Sequence, residues 1–131
     1  MGYILTRKAH LGLYSRIDIA LDTFPYNGTT TTCEALYMGA PVITLTGDTH
    51  RNRVGESLLK ALGKTAWIAN SRDQYMAIAT TLAADAGKLA TTRNQLRERL
   101  GASPLCDRET FAQNVESAYR AMWRDWCNAH T

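Results

Sequence analysis

With 131 residues, 45% of them hydrophobic and 21% charged, the chain has the size and composition of one globular domain and is not disordered. A net charge of +3 does not demand a nucleic-acid or membrane partner, and no apolar run approaches the roughly 18 residues of a membrane span. Cys33, Cys106 and Cys127 are odd in number, far apart and without C-x-x-C spacing, which argues against a disulfide framework or a zinc site and points to a reducing, cytoplasmic setting. The opening residues Met1 to Lys8 show neither the apolar core of a secretory signal nor a convincing myristoylation signal.

In chain order, Ile17–Leu21 reads as a short buried strand and Thr30–Met38 as a helix stopped by Gly39, with Pro41 beyond it. Val42–Leu45 is a β-branched second strand, and Thr46–His50 a polar loop. A helix from about Asn52 to Gly63 carries Val54, Leu58 and Leu62 on one face. Ala66–Ile68 is a weaker third strand. Ser71 and Gln74 fit a capping box opening a helix through Tyr75, Ile78 and Leu82. A further helix spans about Ala86–Leu100, and a break follows at Gly101–Pro104. The last helix starts near Asp107. Phe111, Val115, Tyr119, Met122 and Trp126 make one apolar stripe, and Tyr119, Trp123 and Trp126 are expected to pack it onto the sheet, the alternative being an aromatic surface for a protein partner.

Short strands alternating with helices imply a parallel sheet with crossover helices, an α/β three-layer arrangement. Three strands are few for a complete doubly wound domain. The expectation is therefore a partial Rossmann-like unit. It would form a single domain, 1–131, with an α/β core over about 1–105 and a closing helix over about 106–127.

The chemistry concentrates between Asp22 and Pro41. Here an apolar strand passes through a turn rich in Pro, Gly and hydroxyls into a helix. Gly28 lets the backbone turn, and the N–H groups that follow have no helical partner. With the helix dipole they make a seat for a phosphate on Asn27, Gly28, Thr29, Thr30 and Thr31. Glu34, one turn further, could reach ribose hydroxyls. The plainer alternative is a capping turn with no ligand, with Glu34 merely favourable near a helix start. His50-Arg51-Asn52-Arg53 suggests an anion patch. Arg53 reads as serving the fold where it opens the second long helix, and Cys33 as a small buried residue.

The order and spacing of His10, Asp18–Asp22, Asn27–Thr31, Glu34, Leu36 and Gly39-x-Pro41 resemble the nucleotide-binding core of the O-linked N-acetylglucosamine transferases. These are the SPINDLY-like enzymes of glycosyltransferase family 41. Arg53-Val54, Ser57-Leu58, Ser103–Leu105, Tyr119 and Met122-Trp123 extend the likeness over about residues 7–126.

The resemblance implies the later part of the C-terminal lobe of a GT-B enzyme. Its reaction is an inverting transfer of N-acetylglucosamine from a UDP-sugar to Ser or Thr of a protein, with no cofactor or essential metal. By the same resemblance Thr30 and Thr31 cradle the donor phosphates and Glu34 binds the ribose. His10 packs at the uracil end, and Arg7 stands where the family has a Lys near ribose and phosphate. Thr29 replaces a frequent His, and Leu13 replaces a base-contacting Arg. The acceptor site, the candidate base, a pyrophosphate-binding Gln/Lys pair and the tetratricopeptide repeats are expected upstream. The chain is thus expected to be a fragment inactive alone, with a nucleotide sugar as its own ligand and no nucleic-acid or membrane partner. The alternatives are a catalytically inactive nucleotide-binding or scaffolding module and a GDP-fucose-using relative.

Overall fold

The structure, a computed structural model, describes residues 6–130; the reading of the opening residues as free of a targeting signal falls largely outside them. Three strands, β1 (Ala20–Leu21), β2 (Val42–Leu45) and β3 (Ile68–Ala69), form one parallel sheet in the order β1-β2-β3. Ala20 pairs with Val42 and Leu21 with Ile43; Thr44 pairs with Ile68 and Leu45 with Ala69. A short helix α1 (Arg7–Gly12) precedes β1, α2 (Thr30–Tyr37) joins β1 to β2, and α3 (Val54–Ala61) joins β2 to β3. Helices α4 (Arg72–Ala83), α5 (Ala86–Gly101) and α6 (Arg108–Ala129) follow.

Side chains alternate across a strand, so β2 serves two cores. Val42 packs with Ala35 and Leu36 of α2, Leu59 of α3, and Leu96 and Leu100 of α5. Ile43 points the other way, to Tyr75 and the partly buried Ile78, Ala79 and Leu82 of α4. The result is the expected three-layer α/β arrangement, with α2, α3 and α5 on one face of the sheet and α4 on the other.

Several boundaries differ from the sequence reading. The first strand is only Ala20–Leu21. In the observed register the carbonyl of Asp18 would need the N–H of residue 41, and that residue is Pro. Arg93 of α5 takes its place, donating to the carbonyls of Ile17, Asp18 (2.9 Å) and Tyr14. The third strand starts two residues late, because Thr65–Trp67 winds into a 3-10 turn that buries Trp67. Helix α3 likewise starts at Val54, after a 3-10 turn over His50–Asn52 closed by a Thr49–Asn52 capping box. Its buried face is Gly55, Leu59 and Leu62, leaving Val54 and Leu58 half-buried. Ser71 caps Gln74 as expected, at 3.2 Å, but Gln74 reaches back to the N–H of Asn70 rather than to Ser71.

The largest correction concerns α6. No residue of it is buried, and Phe111, Tyr119, Met122, Trp123 and Trp126 are all more than half exposed. Its aromatic rings meet each other instead: Trp123 stacks on Trp126 at 5.3 Å, and Trp126 on His130 at 4.6 Å. Both faces of the central strand β2 are already covered by α2, α3, α5 and α4, and α6 buries nothing against the sheet.

Candidate functional site

The turn from β1 into α2 is built on Asp22, a residue the sequence reading did not single out. Asp22 directly follows β1 and is buried. One carboxylate oxygen accepts the N–H of Gly28 at 2.8 Å, and the other accepts the hydroxyl of Thr44 at 2.8 Å. Its carbonyl accepts the hydroxyl of Tyr75 at 2.7 Å. Burial pushes the Asp22 carboxyl above its ordinary range, against the lowering by these hydrogen bonds. Burial, with a smaller contribution from Asp22, drives the Tyr75 hydroxyl up to about 12, so it stays a donor at every physiological pH. The only sequence signal was an acid closing an apolar strand just before a Pro- and Gly-containing turn.

Two glycines make this closeness possible. A Cβ on Gly28 would stand 2.4 Å from the Thr31 hydroxyl. One on Gly55 would stand 2.3 Å from the Thr44 hydroxyl and 2.6 Å from the Asp22 carboxylate. Asn27 is buried, and its side chain works inward: its amide donates to the Thr23 carbonyl at 3.0 Å and accepts the Gly55 N–H at 3.3 Å. It therefore ties the turn to the start of α3.

The turn delivers α2 with a bare N-terminus. Thr29 is the N-cap residue but makes no side-chain capping bond. Among the described residues the N–H groups of Thr30, Thr31 and Thr32 have no partner. The hydroxyl of Thr32 turns back to the Gly28 carbonyl at 2.9 Å, whereas Thr29, Thr30 and Thr31 are exposed.

Helix α1 lies across this end. Nε2 of His10 stands 3.1 Å from Oε2 of Glu34, joining two residues separated by 24 positions. The Tyr14 hydroxyl donates to the Thr31 carbonyl at 3.3 Å, and its ring meets His10 edge-on at 5.8 Å. Burial pushes the Tyr14 hydroxyl up as well. His10 leaves the second carboxylate oxygen of Glu34 without a hydrogen bond among the described residues. Beside this pair Arg7, Leu11, Thr30, Cys33, Glu34, Tyr37 and Leu100 line a cavity of about 340 Å³. It offers a cation, a carboxylate and an apolar wall together. Burial raises the Cys33 thiol above its ordinary range, so it is held as a thiol and not an activated thiolate.

Of the expected site residues, Arg7, Thr30 and Glu34 line one cavity, with His10 paired to Glu34; Gly28 and Thr31 line another beside Asp22 and Tyr14; Thr29 lines a third, and Asn27 is buried. Fold and site together define a three-layer α/β unit whose second helix opens beside an imidazole–carboxylate pair.

The chain belongs to glycosyltransferase family 41, whose profile matches residues 4–115. It is 50% identical over 125 residues to a probable UDP-N-acetylglucosamine–peptide N-acetylglucosaminyltransferase SPINDLY of Petunia hybrida, covering 95% of this chain and 13% of that protein. It is 31% identical over 121 residues to the UDP-N-acetylglucosamine–peptide N-acetylglucosaminyltransferase of Caenorhabditis elegans, covering 92% of this chain and 10% of that one. A mutant of the Thermobaculum terrenum O-GlcNAc transferase shares its fold, with a TM-score of 0.87 and 41% identity over 97% of this chain and 24% of that one. The chain therefore spans about one-eighth of the length of the SPINDLY relatives it matches.

Proposed function

We propose that this chain is the donor-binding part of a protein O-glycosyltransferase that moves N-acetylglucosamine from UDP to Ser or Thr of a protein. The observation that carries the reading is the convergence of His10, Glu34 and the three unpartnered N–H groups of Thr30–Thr32 on one helix end. The relatives' names supply the donor and the peptide acceptor.

In this reading the free oxygen of Glu34 accepts from ribose hydroxyls while His10 fixes the carboxylate. Arg7 stands over the cavity rim as the cation, and the base lies against Leu11 and Tyr37. The N–H groups of α2 face the diphosphate. As the glycosidic bond breaks, negative charge grows on that diphosphate, and fixed donors there stabilise the transition state more than the ground state. Acceptor and base come from parts of the parent enzyme beyond this stretch. The unit alone binds a nucleotide without transferring a sugar, in a reducing, cytoplasmic setting consistent with the cysteine spacing.

The test is a titration of the purified chain with UDP, with GDP and UMP as controls, read from amide shifts. UDP is expected to shift residues 28–34 selectively. Glu34→Ala and Thr31→Ala should each weaken UDP about five- to tenfold, on the order of 1 kcal/mol. Undiminished affinity in both variants would overturn the assignments.

A further inference from the structure

Resting on the donor-binding reading, we infer that Arg97 of α5 is a positioning residue for the base of the nucleotide. It acts through Tyr37, whose ring it holds as a platform in the wall of the Arg7–Glu34 cavity. The Arg97 guanidinium lies over the Tyr37 ring, 4.1 Å from its centre. That is well inside the roughly 6 Å over which a cation is attracted to an aromatic face. Tyr37 lines the cavity and Arg97 does not, so the guanidinium stands behind the ring. The ring is 45% exposed, which leaves area for a second planar group.

The core holds this pair in place. Among the described residues Arg97 has no carboxylate partner, so the ring is what orients it. Leu36 and Leu96, the residues just before Tyr37 and Arg97, are fully buried in the same core cluster. Gly39 sets how closely α2 and α5 meet: its φ is 82°, and a Cβ there would stand 2.8 Å from the Arg93 carbonyl oxygen. Arg97 lies one turn beyond Arg93 on α5, which brings it level with Tyr37.

The place of Tyr37 along α2 matches a base. Thr30, Glu34 and Tyr37 stand at i, i+4 and i+7 on one face of the helix, and all three line the cavity. At roughly 1.5 Å per residue, Tyr37 lies about 10 Å from Thr30 along the axis. A nucleoside whose ribose meets Glu34 and whose phosphate lies toward Thr30 carries its base toward Tyr37 and Leu100. A ring already fixed from behind loses less freedom on stacking than a mobile one, so the guanidinium contributes affinity without touching the ligand.

The test titrates UDP into the purified chain and into Tyr37→Ala, Arg97→Met, Arg97→Lys and the Tyr37→Ala/Arg97→Met double variant. Both side chains are exposed, so these changes leave the core intact. Stacking should move the uracil H5 and H6 resonances upfield with the wild type, less with Arg97→Met, and not with Tyr37→Ala. Tyr37→Ala should lose about tenfold of UDP affinity and Arg97→Met about threefold. The double variant should lose no more than Tyr37→Ala, because Arg97 works only through the ring. Arg97→Lys should recover part of the loss, since it keeps a cation over the ring. If UDP binds the wild type without moving H5 and H6, the base does not lie on Tyr37, and this inference falls while the donor-binding reading stands. If the losses of the two single variants multiply in the double, Arg97 acts by another route and its assignment is overturned. If the wild type binds no UDP at all, the donor-binding reading fails first and takes this inference with it.

Discussion

The turn before α2 and the helix α6 are opposite solutions to ordering a chain. Between Asp22 and Thr32 little is regular, yet the segment is tied to the rest of the fold by the hydroxyls of Thr44 and Tyr75, which donate to Asp22, and by the backbone N–H of Gly55, which donates to Asn27. Helix α6 has 22 residues of regular structure, an Asp107 cap on Thr110 and no buried side chain. The first region is stable because of what surrounds it, and the second is a helix from its own local bonds. Regularity and burial are separate properties, and the functional chemistry sits where burial, not regularity, sets the geometry.

The sharpest way to break this contrast is Gly55→Ala. The new methyl would press on the Thr44 hydroxyl and the Asp22 carboxylate, both buried and hydrogen-bonded to each other. A loss of about 3 kcal/mol is expected in urea unfolding, together with the amide pattern of the α2 turn. A change under about 1 kcal/mol would show the Asp22 network to be softer than its distances indicate.

An intermediate effect is expected at Glu56, which closes the same sheet edge. Hydrogen bonds from Lys60 and then from Thr46 lower its carboxyl from 4.5 to about 2. A depressed carboxyl stabilises the fold above the unfolded value and loses that contribution as pH falls from about 4.5 toward 2. Lys60 is 59% exposed, so solvent screening trims the effect to about 1–2 kcal/mol. Glu56→Gln should therefore cost that much at neutral pH and flatten the acid limb of stability over that range. An unchanged limb would assign it to other carboxylates.

The smallest effect should come from α6. Replacing Tyr119, Trp123 and Trp126 together by Ser is expected to leave the unfolding free energy of the α/β layers within about 0.5 kcal/mol, since none of these rings is buried. A loss of several kcal/mol would mean that the rings find a buried surface in solution and would erase the contrast.

Much of the fold was legible because local rules governed it. Val42–Leu45 appears where its β-branched run placed it, and α2 closes at Tyr37, two residues before Gly39 with φ 82°. The α5 boundaries also agree within a residue. Errors arose where a distant residue decided, as Arg93 and Pro41 shortened β1, and where a local turn intervened, as the Thr49–Asn52 capping box delayed α3. The packing expected of α6 failed because amphipathic spacing shows that a face exists without showing that anything is left to cover it. At the site, Thr30, Thr31, Glu34 and His10 could be picked out by order and spacing. Asp22 could not, because its role consists of contacts to residues 6, 22 and 53 positions away.

The sequence by itself determined the alternation of short strands and helices, the turn of Gly28 and threonines that opens α2, and membership of the family. These depend on spacing, capping and backbone freedom, all local. Only the tertiary structure decided that His10 meets Glu34, that Asn27 turns inward to Thr23 and Gly55, and that Asp22 gathers Gly28, Thr44 and Tyr75. Each of those outcomes depends on which of several competing partners comes within hydrogen-bond reach, and that is settled only when the layers close around the sheet.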